Sequence, residues 1–155
     1  LINFIKDENE AVLTLDKKIN IKCNLLIGAD GKKSLVRSLA GISFYKKDYY
    51  QKAFIFNIQH EKKHNYLATE NFLEQGPLAS LPIKKNNSEF FSSIVWSCNN
   101  PFFYKIMHYK KSNIENLISN YLKPHYGKLK IISDINNWDL FLIKSNKYID
   151  HRLVY

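Results

Sequence analysis

The stretch from Leu25 to Leu39 constrains this chain most. Leu25-Leu26-Ile27 is an apolar run that reads as a buried strand. It breaks at Gly28-Ala29-Asp30-Gly31, where two glycines allow a sharp turn and a close approach by a ligand. Ser34 to Ala40 then reads as a short amphipathic helix, with Gly41 placed for a left-handed cap. The unit is strand, tight turn, helix. Its turn lies at the carboxyl end of the strand, where open α/β sheets bind ligands.

The turn carries chemistry. Asp30 offers a carboxylate to a sugar hydroxyl, and backbone N–H groups around Gly31 and the helix start could hold an anion. Ser34 suits either a helix cap or a phosphate contact. Arg37 follows one turn later on the same face. The chain has only two arginines, Arg37 and Arg152, against many lysines, which points to a site that wants a flat, two-pronged donor. Asp-Gly by itself is what an ordinary turn looks like. The longer string Gly-Ala-Asp-Gly-x-x-Ser-x-Val-Arg after an apolar strand is more specific.

That string resembles the second flavin motif of the FAD-dependent aromatic-ring hydroxylases, the family of p-hydroxybenzoate hydroxylase. Three further segments are similar to the ubiquinone-biosynthesis branch of that family: Tyr50-Gln51-Lys52-Ala53, Glu70 through Ile83, and Ser93 through Ser97. The resemblance runs from Leu25 to about Ser97 and thins beyond it. It implies an α/β fold, α+β within these residues. Part of a Rossmann-type FAD-binding domain would be joined to a mostly antiparallel substrate-domain sheet with one packed helix. The expected divisions are 1–44 for the FAD-binding part, 45–146 for the sheet and helix, and 147–155 for a strand returning to the FAD domain.

The resemblance also implies a function. NAD(P)H would reduce FAD, and the reduced flavin would pass one atom of O2 to the aromatic ring of a ubiquinone precursor. Asp30, Gly31, Ser34 and Arg37 would serve the cofactor, and Gly76, Pro77 and Leu78 would form a substrate-pocket wall. No residue is assigned to the catalytic step, and no metal-ligand constellation is apparent. His60 and His64 lie in surroundings that read as strand and loop. The family's N-terminal Gly-x-Gly-x-x-Gly and its later Gly-Asp segment are not in these residues, so the chain reads as the middle of a longer enzyme that would be inactive alone. A related flavoprotein acting on another substrate, a non-catalytic remnant and a basic binding module stay open as alternatives.

Composition sharpens the partners. Net charge is +9, from 23 Lys plus Arg against 14 Asp plus Glu. Much of the excess falls as lysine pairs at expected turns, which is the pattern of solvated loop tips rather than a nucleic-acid stripe. The expected partners are a prenylated or small phenolic substrate and O2, and no nucleic acid. The expected location is cytoplasmic, with peripheral contact to the inner membrane or to a ubiquinone-biosynthesis complex as a further option, because a basic surface suits anionic lipid. Cys23 and Cys98 stand far apart in apolar contexts and read as reduced core thiols.

Elsewhere the pattern is mostly strand. Leu1–Ile5 and Ala11–Leu15 read as a hairpin, with Ile19–Lys22 as a further strand. Tyr49–Ile58, Tyr66–Leu73 and Phe90–Cys98 read as strands of one antiparallel sheet, with Asn86-Asn87 as a turn. Gly76 to Pro82 reads as a strand edge or crossover stiffened by two prolines. Phe72 and Trp96 could face one cavity, although core packing is the commoner fate of such residues. Ser112-Asn113-Ile114-Glu115 reads as a capping box opening an amphipathic helix that Pro124 and Gly127 stop. Lys128–Ile135, Leu140–Ile143 and Tyr148–Tyr155 read as the closing strands.

Overall fold

The computed structural model describes residues 1–84 and 89–155. The expected Asn86-Asn87 turn lies outside the described residues, as does Lys85. The chain divides into two compact units, one of Leu1–Lys47 with Leu142–Tyr155 and one of Asp48–Phe141. Strands β5 (Phe44–His60) and β10 (Asn136–Ser145) each contribute residues to both.

In the first unit, β1 (Asn3–Lys6), β2 (Ala11–Thr14) and β3 (Asn20–Cys23) form an antiparallel sheet. A second small sheet has the order β11 (Ile149–Asp150), β12 (Leu153–Val154), β4 (Leu26–Ile27). The pair β12–β4 is parallel, with Leu153 opposite Leu26 and Val154 opposite Ile27. The closing stretch is therefore a hairpin, not one strand: Arg152 turns it at φ 51°. Only Leu26 of the apolar run is buried. Leu25 and Ile27 are exposed, so β4 is shorter and more open than the run of three apolar residues suggests.

Arg152 fastens the unit. Its Nε donates to the Glu8 carbonyl at 3.0 Å and Nη2 to the same oxygen at 2.5 Å, while Nη1 donates to the Asn24 carbonyl at 2.9 Å. Beside it, Asp150 takes Lys147 at 2.8 Å and Lys6 at 2.6 Å. Hydrogen bonds from those two ammonium groups hold its carboxyl well below the usual range.

The second unit is built on the sheet order β10-β5-β8-β7-β6, with β9 (Leu129–Ile131) also pairing β5. Here β6 is Thr69–Leu73, β7 is Gly76–Ile83 and β8 is Phe90–Asn99. Every pair with a defined register is antiparallel, as expected for strands that follow one another without intervening helices. In β5 burial begins at Lys52–Ala53, next to the start of pairing with β8 at Gln51 opposite Asn99, and alternates from Phe54 onward. Phe54, Phe56 and Ile58 point into the core with Leu78, Ile94 and Trp96.

Gly76–Ile83 is a full strand between two neighbours rather than an edge or crossover. It starts from Gly76 at φ +131°, where an added Cβ would lie 2.2 Å from the Ser97 carbonyl oxygen. Only glycine fits that start.

Helices α2 (Asn100–Ile106) and α3 (Lys111–Tyr126) contribute Phe103, Ile106, Ile114, Ile118 and Leu122 to the same core. Pro101 lies in the first turn of α2, directly after β8. Asn99 caps the helix by accepting from the Phe102 N–H at 2.9 Å, and proline is tolerated in the first turn. The capping box does not form. Lys110 is the N-cap of α3 and makes no side-chain cap bond, while Glu115 accepts from the Ile131 N–H at 2.8 Å. Pro124 lies inside α3, which continues to Tyr126. Among the described residues no helix is long and apolar enough to cross a membrane.

Candidate functional site

The turn between β4 and α1 (Leu35–Leu39) is held open by a compact polar knot. The Asp30 carboxylate accepts three hydrogen bonds. Ser34 Oγ donates at 2.5 Å, the Leu35 N–H at 2.7 Å and the Val36 N–H at 3.1 Å. Burial acts to raise the Asp30 pKa, but the bonds from Ser34 and the backbone outweigh it and hold the carboxyl below its ordinary value. Ser34 is the N-cap of α1, accepting from the Arg37 N–H at 2.9 Å, and is itself buried. Gly41 follows the helix at φ +65°, the left-handed position expected of it.

Arg37 is 5% exposed. Its guanidinium donates to the Tyr155 hydroxyl and, at 3.0 Å, to the Lys32 carbonyl. It lies 4.2 Å from the Phe44 ring centroid and 5.4 Å from that of Tyr155. A buried cation is thus met by two ring faces and a carbonyl. The fork expected for a ligand grips the protein's own turn.

The four residues expected at the cofactor therefore divide. Asp30 and Gly31 are exposed; Ser34 and Arg37 are buried behind them. The expectation that the helix start holds an anion is corrected by the same bonds: the N–H groups of Leu35, Val36 and Arg37 already have side-chain acceptors. Gly31 sits at φ +80° with nothing within 4 Å of where a Cβ would be, so the backbone there is open to a ligand. At Gly28 a Cβ would come within 2.9 Å of Val36 Cγ1, which explains how tightly strand end and helix close.

A cavity of about 400 Å³ opens beside the turn, lined by Gly28, Ala29, Gly31, Arg37, Tyr148 and Tyr155 among others. These residues suit the sugar–phosphate part of a dinucleotide. Small residues allow close approach, and the Asp30 carboxylate lies exposed while it takes the bonds that hold the turn. Tyr155 and Phe44 were not foreseen as parts of this site. Tyr155 lies 118 positions from Arg37, and no local spacing signals that pair.

The residues expected as a substrate wall lie in the other unit. Leu78 is fully buried in the core beneath α2 and α3, and Pro77 is half-buried on the opposite sheet face. Phe72, paired with Pro77, is 84% exposed, whereas Trp96, paired with Leu78, is 0% exposed. They occupy opposite faces, which overturns the idea that they share a cavity. His60 is a core histidine. Its Nδ1 lies 2.9 Å from the Lys62 carbonyl and Nε2 lies 3.0 Å from Ser92 Oγ, and burial lowers its pKa. Among the described residues no cluster of His, Cys, Asp and Glu could hold a metal. Both cysteines are free, and burial pushes the Cys98 thiol up to about 11.

A strand, an open Asp-Gly turn and a short helix beside a cavity, carried with a mostly antiparallel sheet, make a mixed α/β class of fold. Residues 4–117 match the family described as FAD binding domain, and the chain belongs to that family. It is 30% identical over 148 residues to ubiquinone hydroxylase UbiL of Rhodospirillum rubrum, covering 96% of this chain and 34% of that protein. It is 41% identical over 86 residues to the mitochondrial ubiquinone biosynthesis monooxygenase COQ6 of Mus musculus, covering 55% of this chain and 17% of that one. Among solved structures, the flavin-dependent brominase Bmp2 matches with a TM-score of 0.70 at 13% identity, over 98% of this chain and 40% of that one. The flavin-dependent monooxygenase PieE, in complex with FAD and substrate, matches with a TM-score of 0.60 at 12% identity, over 99% and 28%. At such identities the structures show the fold alone. The chain spans about a third of the first curated relatives, 34% and 37% of their lengths.

Proposed function

We propose that this chain is the middle part of an FAD-dependent monooxygenase that uses NAD(P)H and O2 to hydroxylate the aromatic ring of a ubiquinone precursor. The observation that carries this reading is the Asp30-Gly31 bend. It is exposed, at the carboxyl end of β4, beside a cavity whose walls admit a backbone-close ligand. Residues 1–44 and 147–155 would belong to the FAD-binding domain and 45–146 to the substrate domain.

In this reading Asp30 accepts a hydroxyl of FAD, and the Gly31 backbone lies against it. Ser34 fixes the Asp30 carboxylate, and Arg37 fixes the turn through the Lys32 carbonyl. FAD, when bound, supplies the redox and oxygen-transfer chemistry. The protein's share is to bind, orient and exclude water. Gly76 and Pro77 would contribute to a pocket wall, with Leu78 supporting it from the core side. The sheet face that carries Pro77 also carries Ile55, Ala79, Val95 and the exposed Phe72, beside the polar Asn57, Glu70, Ser93 and Ser97, a mixed lining with room for both the apolar and the phenolic part of a prenylated phenol. A cytoplasmic protein touching the inner membrane peripherally would meet such a substrate where it resides. These 155 residues by themselves would not turn over.

The test uses the complete protein. Asp30→Ala is expected to lower flavin content or slow NAD(P)H-driven flavin reduction by an order of magnitude or more. Unchanged flavin content together with unchanged NAD(P)H oxidation would remove Asp30 from the site. Product analysis with prenylated and soluble phenols decides the substrate: turnover of soluble phenols alone defeats the ubiquinone-precursor assignment while leaving the flavin site standing.

A further inference from the structure

The connection between α2 and α3 has an unusual surface. From Tyr104 to Asn113 only Ile106 is buried, so the corner projects. It is braced from below: Phe103 stacks on Phe54 at 4.6 Å between centroids, and Ile106 and Ile114 enter the core. Beside His108, Ser112 and Asn113, the outward residues are of two kinds. Tyr104 is 55% exposed, Met107 42% and Tyr109 39%; Lys105, Lys110 and Lys111 stand among them.

No carboxylate occurs between Glu89 and Glu115 in the sequence. Among the described residues, none of the ion pairs involves these three lysines. Asp139, brought toward α2 by Lys52, is already paired to it. The Lys62-Lys63 turn makes a useful contrast. There the Lys62 ammonium donates to the Pro124 carbonyl at 3.1 Å, and Glu61 stands next to it in sequence.

We propose that this corner, through Tyr104, Met107, Tyr109, Lys105, Lys110 and Lys111, is the surface by which the protein docks on an anionic lipid membrane. Amphipathic tyrosines and a flexible apolar methionine suit the headgroup level, and unpaired lysines suit anionic headgroups. A nucleic-acid strand would want a groove that tracks its backbone; a projecting corner offers none. The inference rests on the membrane half of the proposed function and not on its chemistry, and vesicle binding needs neither turnover nor substrate. Its failure would leave the hydroxylase reading intact, and a failed hydroxylase assay would leave the docking surface intact.

The experiment is flotation of the complete protein with phosphatidylcholine vesicles and with mixed phosphatidylcholine–phosphatidylglycerol vesicles. Binding is expected only to the mixed vesicles and should weaken as salt rises. Lys105→Gln, Lys110→Gln and Lys111→Gln should each lower the partition coefficient about 5-fold, and the triple variant on the order of 100-fold. A second triple variant, Lys123→Gln/Lys128→Gln/Lys130→Gln, removes the same charge from other exposed positions and should bind nearly as the parent does. Tyr104→Ser/Met107→Ser should reduce binding with the charge intact. Equal partition into both vesicle types overturns the proposal. So does an equal loss in the two triple variants, or binding to single-stranded RNA in place of vesicles that the corner variants abolish.

Discussion

The two units are held together by different physics. The Asp48–Phe141 unit rests on a broad apolar core, from Phe54 and Trp96 in the sheet to Ile118 and Leu122 in α3. Among the described residues the other unit's apolar cluster is small, built on Leu26, Val36 and Leu153, and its Asp-Gly turn depends on the knot of Asp30, Ser34, Arg37 and Tyr155. Apolar burial is non-directional and tolerates small shifts. A hydrogen-bond knot is directional and specifies one geometry. The chain thus places its bulk stability in the sheet and its local precision at the turn.

The largest effect should come from the sheet. Trp96 is fully buried and packs on Phe102 at 5.2 Å. Trp96→Ala is expected to cost about 3–5 kcal/mol. The lower end is favoured, because the indole N–H has no hydrogen-bond partner among the described residues and its removal relieves an unmet donor. Amide hydrogen exchange is the right readout, since a chain of two units need not unfold in one step. Protection should fall in β5, β7 and β8 and change little in α1. An equal fall in α1 would mean that the units unfold together, which would break the comparison.

The same contrast explains what was legible from the residues alone. Local signals were readable: the β-branched and aromatic run of β5, the apolar face of α3, the glycine closing α1. The strand–turn–helix around Asp30 was readable because turn chemistry is local. Contacts between distant residues were not. Arg37 and Tyr155 meet only because β12 pairs with β4. Local signals also misled where tertiary contacts compete. Ser112 and Glu115 spell a capping box, yet Glu115 ties down β9 instead. A string of residues can announce a turn that binds; it cannot announce which of its polar groups will be consumed in holding that turn.

Arg37 probes that last point with an intermediate effect. Arg37→Lys keeps the charge and removes the fork. A lysine cannot serve the Lys32 carbonyl and the Tyr155 hydroxyl with the same flat geometry between two rings. The expected cost is about 2 kcal/mol, the worth of a hydrogen bond from a charged donor. It should be seen as lost protection in α1 with the β5–β8 core unmoved. A variant as protected as the parent would show that the turn does not depend on the fork.

Ser34→Ala should give the smallest change, about 1 kcal/mol for a lost N-cap. Its pH dependence makes it informative. The folded Asp30 pKa lies below its unfolded value, so the carboxylate contributes stability that is present above about pH 3.9 and lost as pH falls toward the folded pKa. Ser34 Oγ is one of the donors that lower it, so Ser34→Ala should raise the Asp30 pKa measured by carboxyl NMR titration. The stability gap between parent and variant should be widest near neutrality and should narrow below about pH 4. A gap that stays constant through that range would mean that Ser34 caps α1 without tuning Asp30, and that the carboxylate is held for its ligand by the backbone of the helix alone.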